Sequence, residues 1–301
     1  EARRANTELR LRMREKNNYL PEIEQLAEKQ LKAAGHTGGA LTHRSVSIMA
    51  SQLGFELIYV DDLPHSARSV TDLENGRIYL PPASIPGGHG LRSMALQAMA
   101  HRLLGHTPPS DYADFLQQRL EINYYAACCL MPETASVAFL TQAKKDRNLA
   151  VEDFRDAFGV THEAAAMRMT NLLTEHLGIR LHFLRIDEPG TIGRVYENDG
   201  LPLPMDVTGA VEGQFVCRRF AARAAITGST AASTAGSSPA SATSWARKRS
   251  APALIWARDS LPVDGSKRAS NSSVSSRASN AMAAILGALA NRATTGVGAP
   301  S

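Results

Sequence analysis

The sequence predicts an α+β fold: a mostly helical core with a small β-sheet or hairpin, followed by a disordered tail. Three observations predict it. Apolar residues recur at helical spacing in one segment after another through the first 177 residues. Short β-branched and aromatic runs flank Glu74-Asn75-Gly76, a strong hairpin signal. After Ile226, Ala, Ser, Thr, Gly and Arg take over without either period.

The elements follow in order. Residues 3–34 read as a helical lead-in: Leu9, Leu11, Met13, Tyr19 and Leu20 precede Pro21, and Ile23, Leu26, Ala27 and Leu31 follow it at helical spacing. Pro21 suits a first helical turn, where its missing N–H costs nothing. The stretch 35–39, rich in glycine, breaks the run. A helix over 42–53, ended by Gly54, leads into a strand over 55–60. The hairpin runs 70–73 and 77–80 come next, and Pro81, Pro82 and Pro86 close that sheet edge. Residues 90–106 form a helix with Leu91, Met94, Ala95, Ala98, Leu103 and Leu104 on a broad apolar face. Ser110 is the expected N-cap of a helix over 111–130, with Asp111 and Asp114 in its first turn. Met131-Pro132 ends it and opens a helix over 133–144. Val151–Phe158 and His162–Leu177 are a helical pair joined at Gly159, with Thr161 as N-cap. Strands over 179–186 and 191–196 flank a Pro189-Gly190 turn.

This gives three regions: a lead-in over 1–38, a domain over 39–226 and a tail over 227–301. The net charge of +4 resides in the tail, which holds eight Lys or Arg against two Asp, leaving 25 against 27 in residues 1–226. The body therefore gives no electrostatic case for nucleic-acid binding. Both tryptophans, Trp245 and Trp256, lie in the tail without an apolar pattern around them. The tail reads either as disordered low-complexity sequence or as out-of-frame translation. Three cysteines, two of them the adjacent Cys128 and Cys129, do not form a disulfide framework. A reducing, cytoplasmic setting is expected. No apolar run approaches the ~18 residues of a membrane span, so no membrane partner is expected.

The chemistry turns on residues 94–106, Met-Ala-Leu-Gln-Ala-Met-Ala-His-Arg-Leu-Leu-Gly-His. A zinc-peptidase helix carries His, Glu, two spacers and His, because residues four apart lie about 40° around the helix and can share one ion. Leu103-Leu104-Gly105-His106 resembles the end of that helix in ImmA/IrrE-type metallopeptidases. In this register the motif falls on Gln97, Ala98, Met99, Ala100 and His101. Only His101 keeps the family's residue type: Gln97 stands at a ligand position and Ala98 where the general base belongs. His101 and His106, five apart and about 140° around a helix, are expected to face different ways. Residues 121–132, Glu-Ile-Asn-Tyr-Tyr-Ala-Ala-Cys-Cys-Leu-Met-Pro, resemble the same family's second core helix, with Glu121 as a relic of the acidic ligand. Residues 158–172 resemble the helical pair that follows it; Ala and Met across the second helix argue against DNA reading by this pair.

The lead-in Asn17-Asn18-Tyr19-Leu20-Pro21-Glu22-Ile23 is similar to the segment after the helix-turn-helix in PrpR/RamB-like short-chain fatty-acyl regulators of the XRE family. That resemblance implies a catalytically dead peptidase relative, not an enzyme, that senses acyl-coenzyme A. It requires no cofactor or metal, and reaches DNA only through an upstream domain. Glu1 rather than Met opens the chain, in keeping with this. Cys217-Arg218-Arg219-Phe220 resembles only the start of the regulators' cysteine-bearing C-terminal region. The expected ligand-binding residues are Met94, Met99, Tyr124 and Tyr125 for an acyl chain and Arg102, Arg119 and Arg168 for phosphates. A homodimer is among the expected partners. The alternatives are an active zinc metallopeptidase that cleaves a repressor, and a purely structural dimerisation domain.

Overall fold

The computed structural model of the chain describes residues 2–63, 69–82, 89–179, 181–186, 190–198, 203–215 and 253–258. These form eight helices and six strands: α1(Ala2–Glu15), α2(Pro21–Ala33), α3(His43–Gln52), β1(Glu56–Tyr59), β2(Val70–Asp72), β3(Arg77–Leu80), α4(His89–Leu103), α5(Tyr112–Leu130), α6(Glu133–Lys145), α7(Val151–Phe158), α8(His162–Leu177), β4(Leu181–Ile186), β5(Ile192–Glu197) and β6(Ala253–Arg258). The fold is α+β, as the patterning predicts.

One sheet has the order β1-β3-β2 and the other β5-β4-β6. β2 pairs antiparallel with β3 across the Asn75-Gly76 turn, while β1 runs parallel to β3 from Glu56↔Arg77 to Tyr59↔Leu80. Only Gly76 of the turn takes positive φ, at 66°. Asp72 holds the turn instead, accepting from Asn75 N at 3.0 Å and from Asn75 Nδ2 at 2.7 Å. The loop is therefore longer than the two-residue connection that Asn-Gly favours.

The helix ends follow local chemistry. Thr42 caps α3 through Ser45 N and Thr161 caps α8 through Ala164 N. Gly159 and Gly178 close α7 and α8 in the left-handed region. The cap of α5 corrects the expectation: it is Asp111, which accepts from Asp114 N at 2.7 Å, one residue beyond Ser110. Ser110 instead donates its N–H to the Asp114 carboxylate at 2.9 Å, so the two carboxylates satisfy donors in both directions.

The core lies around α5, which packs against α1, α2 and α4. That is why Cys128 and Cys129, on different sides of the helix, are both buried. The lead-in belongs to this core. Leu9, Met13, Leu20, Ile23, Ala27 and Leu31 join one cluster with Met99, Tyr125, Phe154 and Phe183, so position 38 marks no boundary in packing. Asn17 and Asn18, both left-handed with φ of 53° and 51°, turn the chain between α1 and α2. Asn18 Nδ2 donates to Glu197 O at 3.1 Å and Asn171 Nδ2 donates back to Asn18 O, tying this turn to β5 and α8.

Cys217-Arg218-Arg219-Phe220, Trp245, Pro86 and Pro189 lie outside the described residues, as does most of the tail. Within it Ala253–Arg258 pairs antiparallel with β4, a departure from a tail without strands. Ala253-Leu254-Ile255-Trp256 is an apolar run of strand length, which corrects the expectation that Trp256 has no apolar pattern around it.

Candidate functional site

The site expected from the sequence falls where α4 and α5 face each other. Gln97 Nε2 donates to Asn123 Oδ1 of α5 at 3.0 Å and to Ser93 Oγ one turn back at 3.1 Å. Ala98 is buried in the helix contact. Further along, α4 ends in a Schellman turn. Gly105 takes φ 66°, His106 N bonds to His101 O at 2.9 Å and Gly105 N to Arg102 O at 3.3 Å.

That turn corrects the expected separation of His101 and His106. Angular spacing holds only while the helix lasts; past Gly105 the chain folds back over its last turn. The two rings meet edge to face at 5.1 Å between centroids, and their Nδ1 atoms stand 3.1 Å apart. His106 Nε2 lies 2.9 Å from Glu121 Oε2, and Gln117 Nε2 donates to the other oxygen at 2.6 Å. Burial first, and neighbouring His106 second, hold the His101 imidazole below its ordinary range. Glu121 therefore reaches His106, just past the end of the motif helix. Gly105 before His106 was the signal for it.

This donor set does not fit a zinc ion. The two nitrogens of His106 are turned to His101 and to Glu121 rather than toward a shared point. Gln97 is held in place by its amide donors, which go to Ser93 and Asn123. Among the described residues no group of three His, Cys, Asp or Glu is placed to hold a metal.

The seven expected ligand contacts divide. Met94 is half-buried and Arg119 is exposed. Met99 and Tyr125 are fully buried in the core. Arg102 donates to Leu53 O at 2.8 Å and Leu73 O at 2.6 Å and lies over the Phe55 ring at 3.9 Å, so it binds the hairpin to α3. Arg168 is fully buried and holds Glu24 through two bonds of 2.5 and 2.8 Å, with Nε donating to Met131 O at 3.0 Å. Tyr124 completes that cluster: its hydroxyl donates to Glu24 Oε1 at 2.7 Å and accepts from Leu20 N at 3.1 Å. A phosphate site built on Arg102 and Arg168 would have to break these contacts. Glu24 was not foreseen, yet it shares the buried face of α2 with Ala27 and Leu31. A carboxylate on an apolar stripe demands a cation.

Tyr124 and Tyr125 give a paired prediction. The Tyr125 hydroxyl has no oxygen or nitrogen partner and sits beside the Cys129 thiol, which burial pushes up to about 12. Tyr125→Phe is expected to leave stability within about 0.5 kcal/mol of the parent or raise it. Tyr124→Phe strands Leu20 N and part of Glu24 and is expected to cost about 1–3 kcal/mol. Urea unfolding of the two variants measures both.

No family model and no curated protein sequence matches this chain. Its fold is shared with a solved Mycobacterium tuberculosis transcriptional regulator, at a TM-score of 0.51 and 19% identity over 64% of this chain and 59% of that one. At that identity the likeness establishes the fold. The chain spans 59% of the length of that structure. Among the described residues no helix is long and apolar enough to cross a membrane.

Proposed function

We propose that the chain is the effector-sensing part of a bacterial transcription regulator of the PrpR/RamB-like kind, descended from an ImmA/IrrE-type peptidase and acting in the cytoplasm. Its effector is an acyl-coenzyme A, bound against α4 and α5. The fold shared with a transcriptional regulator carries this reading. The lead-in adds to it: an element that would join a DNA-binding domain is anchored in the sensor's own core, through Glu24 on Arg168 and Asn18 on β5. Met94 is the accessible apolar contact for the acyl chain and Arg119 the accessible cation for the phosphates.

The test is thermal. A ligand that binds only the folded state stabilises by about 2.7 kcal/mol at a hundredfold excess over Kd, which raises the melting temperature by about 5–10 °C in a domain of this size. Butyryl-coenzyme A is expected to produce such a shift and Arg119→Ala to weaken it. Elemental analysis of untagged protein separates the peptidase alternative, which needs about one zinc per chain. The proposal expects far less. A stoichiometric zinc lost on changing His101 contradicts it.

A further inference from the structure

The contact of His101, His106 and Glu121 has a consequence in proton positions. A carboxylate only accepts, so His106 Nε2 carries the proton of its 2.9 Å bond to Glu121. In neutral His106 that leaves Nδ1 with a lone pair, and His101 Nδ1 must donate across the 3.1 Å contact. His101 Nε2 is then a bare lone pair, and among the described residues no group bonds to it. The arrangement is held at both ends. Gln117 fixes the far oxygen of Glu121 and the left-handed Gly105 fixes His106. The His106 side chain is 8% exposed and that of Glu121 26%, while His101 at the outer end is half-buried.

We propose that Glu121, His106 and His101 form a proton relay in which His101 Nε2 is a general base, activating water toward the carbonyl of an ester or thioester seated against α4 and α5. The water oxygen bonds to the carbonyl carbon while its proton passes to His101 Nε2. The C–O or C–S bond then breaks, and the leaving alkoxide or thiolate takes that proton from the His101 imidazolium. The products are a carboxylic acid and an alcohol or thiol; nothing is oxidised or reduced. His106 and Glu121 touch no substrate. They are positioning residues that select the reactive tautomer of His101 and spread its charge while it holds the extra proton. The relay is independent of the acyl-coenzyme A reading; a thioester as its natural substrate rests on that reading, and makes the sensor one that clears its own effector.

The experiment follows p-nitrophenyl acetate hydrolysis by the full chain, with butyryl-coenzyme A as a second substrate. The wild-type rate is expected to exceed that of equimolar imidazole and to rise along one limb centred below about pH 6.5, since His101 is held below its ordinary range. This profile requires no variant. His101→Gln is expected to lose about a hundredfold or more. In Glu121→Gln the amide can donate to His106 Nε2, which inverts the relay and places a proton on His101 Nε2. Its rate is expected to fall while the melting temperature holds, and Glu121→Asp is expected to recover part of it. A wild-type rate no greater than imidazole, or an undiminished rate in His101→Gln, overturns the relay. Ester hydrolysis with butyryl-coenzyme A bound but intact upholds the relay and overturns the thioester as its substrate.

Discussion

Replacing Arg168 by alanine is expected to lower the melting temperature by about 6–20 °C. The guanidinium and its partner are 0% and 1% exposed, so removing one leaves a charge with no water to solvate it. Breaking a buried pair in this way costs about 3–5 kcal/mol, and each kcal/mol moves a domain of this size by about 2–4 °C. Glu24 also carries the Tyr124 hydroxyl, and Tyr124 carries Leu20 N, so the loss propagates to the start of α2. Replacing both charges at once, as Glu24→Gln with Arg168→Met, is expected to cost far less than either truncation, because no charge is stranded. Thermal unfolding of the three variants decides this; equal losses in single and double changes contradict it. The pair also sets an acid limit. Burial pushes the Glu24 carboxyl up, but the charge and hydrogen bonds of Arg168 and the Tyr124 hydroxyl together hold it below its ordinary value. A carboxylate with a folded pKa below its unfolded one contributes stability that is full above the unfolded pKa. That contribution is lost as pH falls through the folded value. It is therefore expected to be complete above about pH 5 and to disappear in stronger acid, and absent from the double variant at any pH.

Gly76→Ala is the second large effect, expected to cost about 2–5 kcal/mol. A Cβ at this position would lie 2.2 Å from the carbonyl oxygen of Gly54, a backbone atom that cannot swing aside. The φ of 66° adds about 1–2 kcal/mol for any L side chain, and the forced displacement about 1–3 kcal/mol more. The move would also strain the 2.8 Å bond from Glu56 N to Gly76 O, which starts the parallel pairing of β1 with β3. Gly105→Ala is the control. Its φ is also 66°, but nothing lies within 4 Å of the added Cβ, so only the dihedral cost is expected. Denaturant unfolding that finds the two substitutions equally costly rules out the Gly54 contact as the cause.

Much of the fold was legible because it is written in local chemistry. Gly159 and Thr161 delimit α7 and α8, and Asn75-Gly76 places the hairpin, each beside the element it sets. What was hidden depends on contacts between distant segments. The sequence alone offers Arg168 as a phosphate ligand because its partner Glu24 lies 144 positions away on a different helix. Tyr124 read as a pocket wall for the same reason. Helical angle alone separates His101 from His106, and it fails once the left-handed Gly105 ends the helix. The apolar stripe of the lead-in, taken alone, cannot show what covers it; the turn at Asn17-Asn18 brings it onto α5, α8 and β5. Gln97 and Ala98 lie on α4, where their relative placement depends on one helix alone.

The central claim, that this chain senses acyl-coenzyme A, is tested most directly by isothermal titration calorimetry of the full chain with acetyl, butyryl and hexanoyl esters beside free coenzyme A. Each buried methylene contributes about 0.8 kcal/mol, so affinity is expected to rise about fourfold per added carbon until the apolar contact is filled, with free coenzyme A weakest. Absence of heat with every ester at millimolar concentration, or equal affinity for esters and free coenzyme A, contradicts the claim.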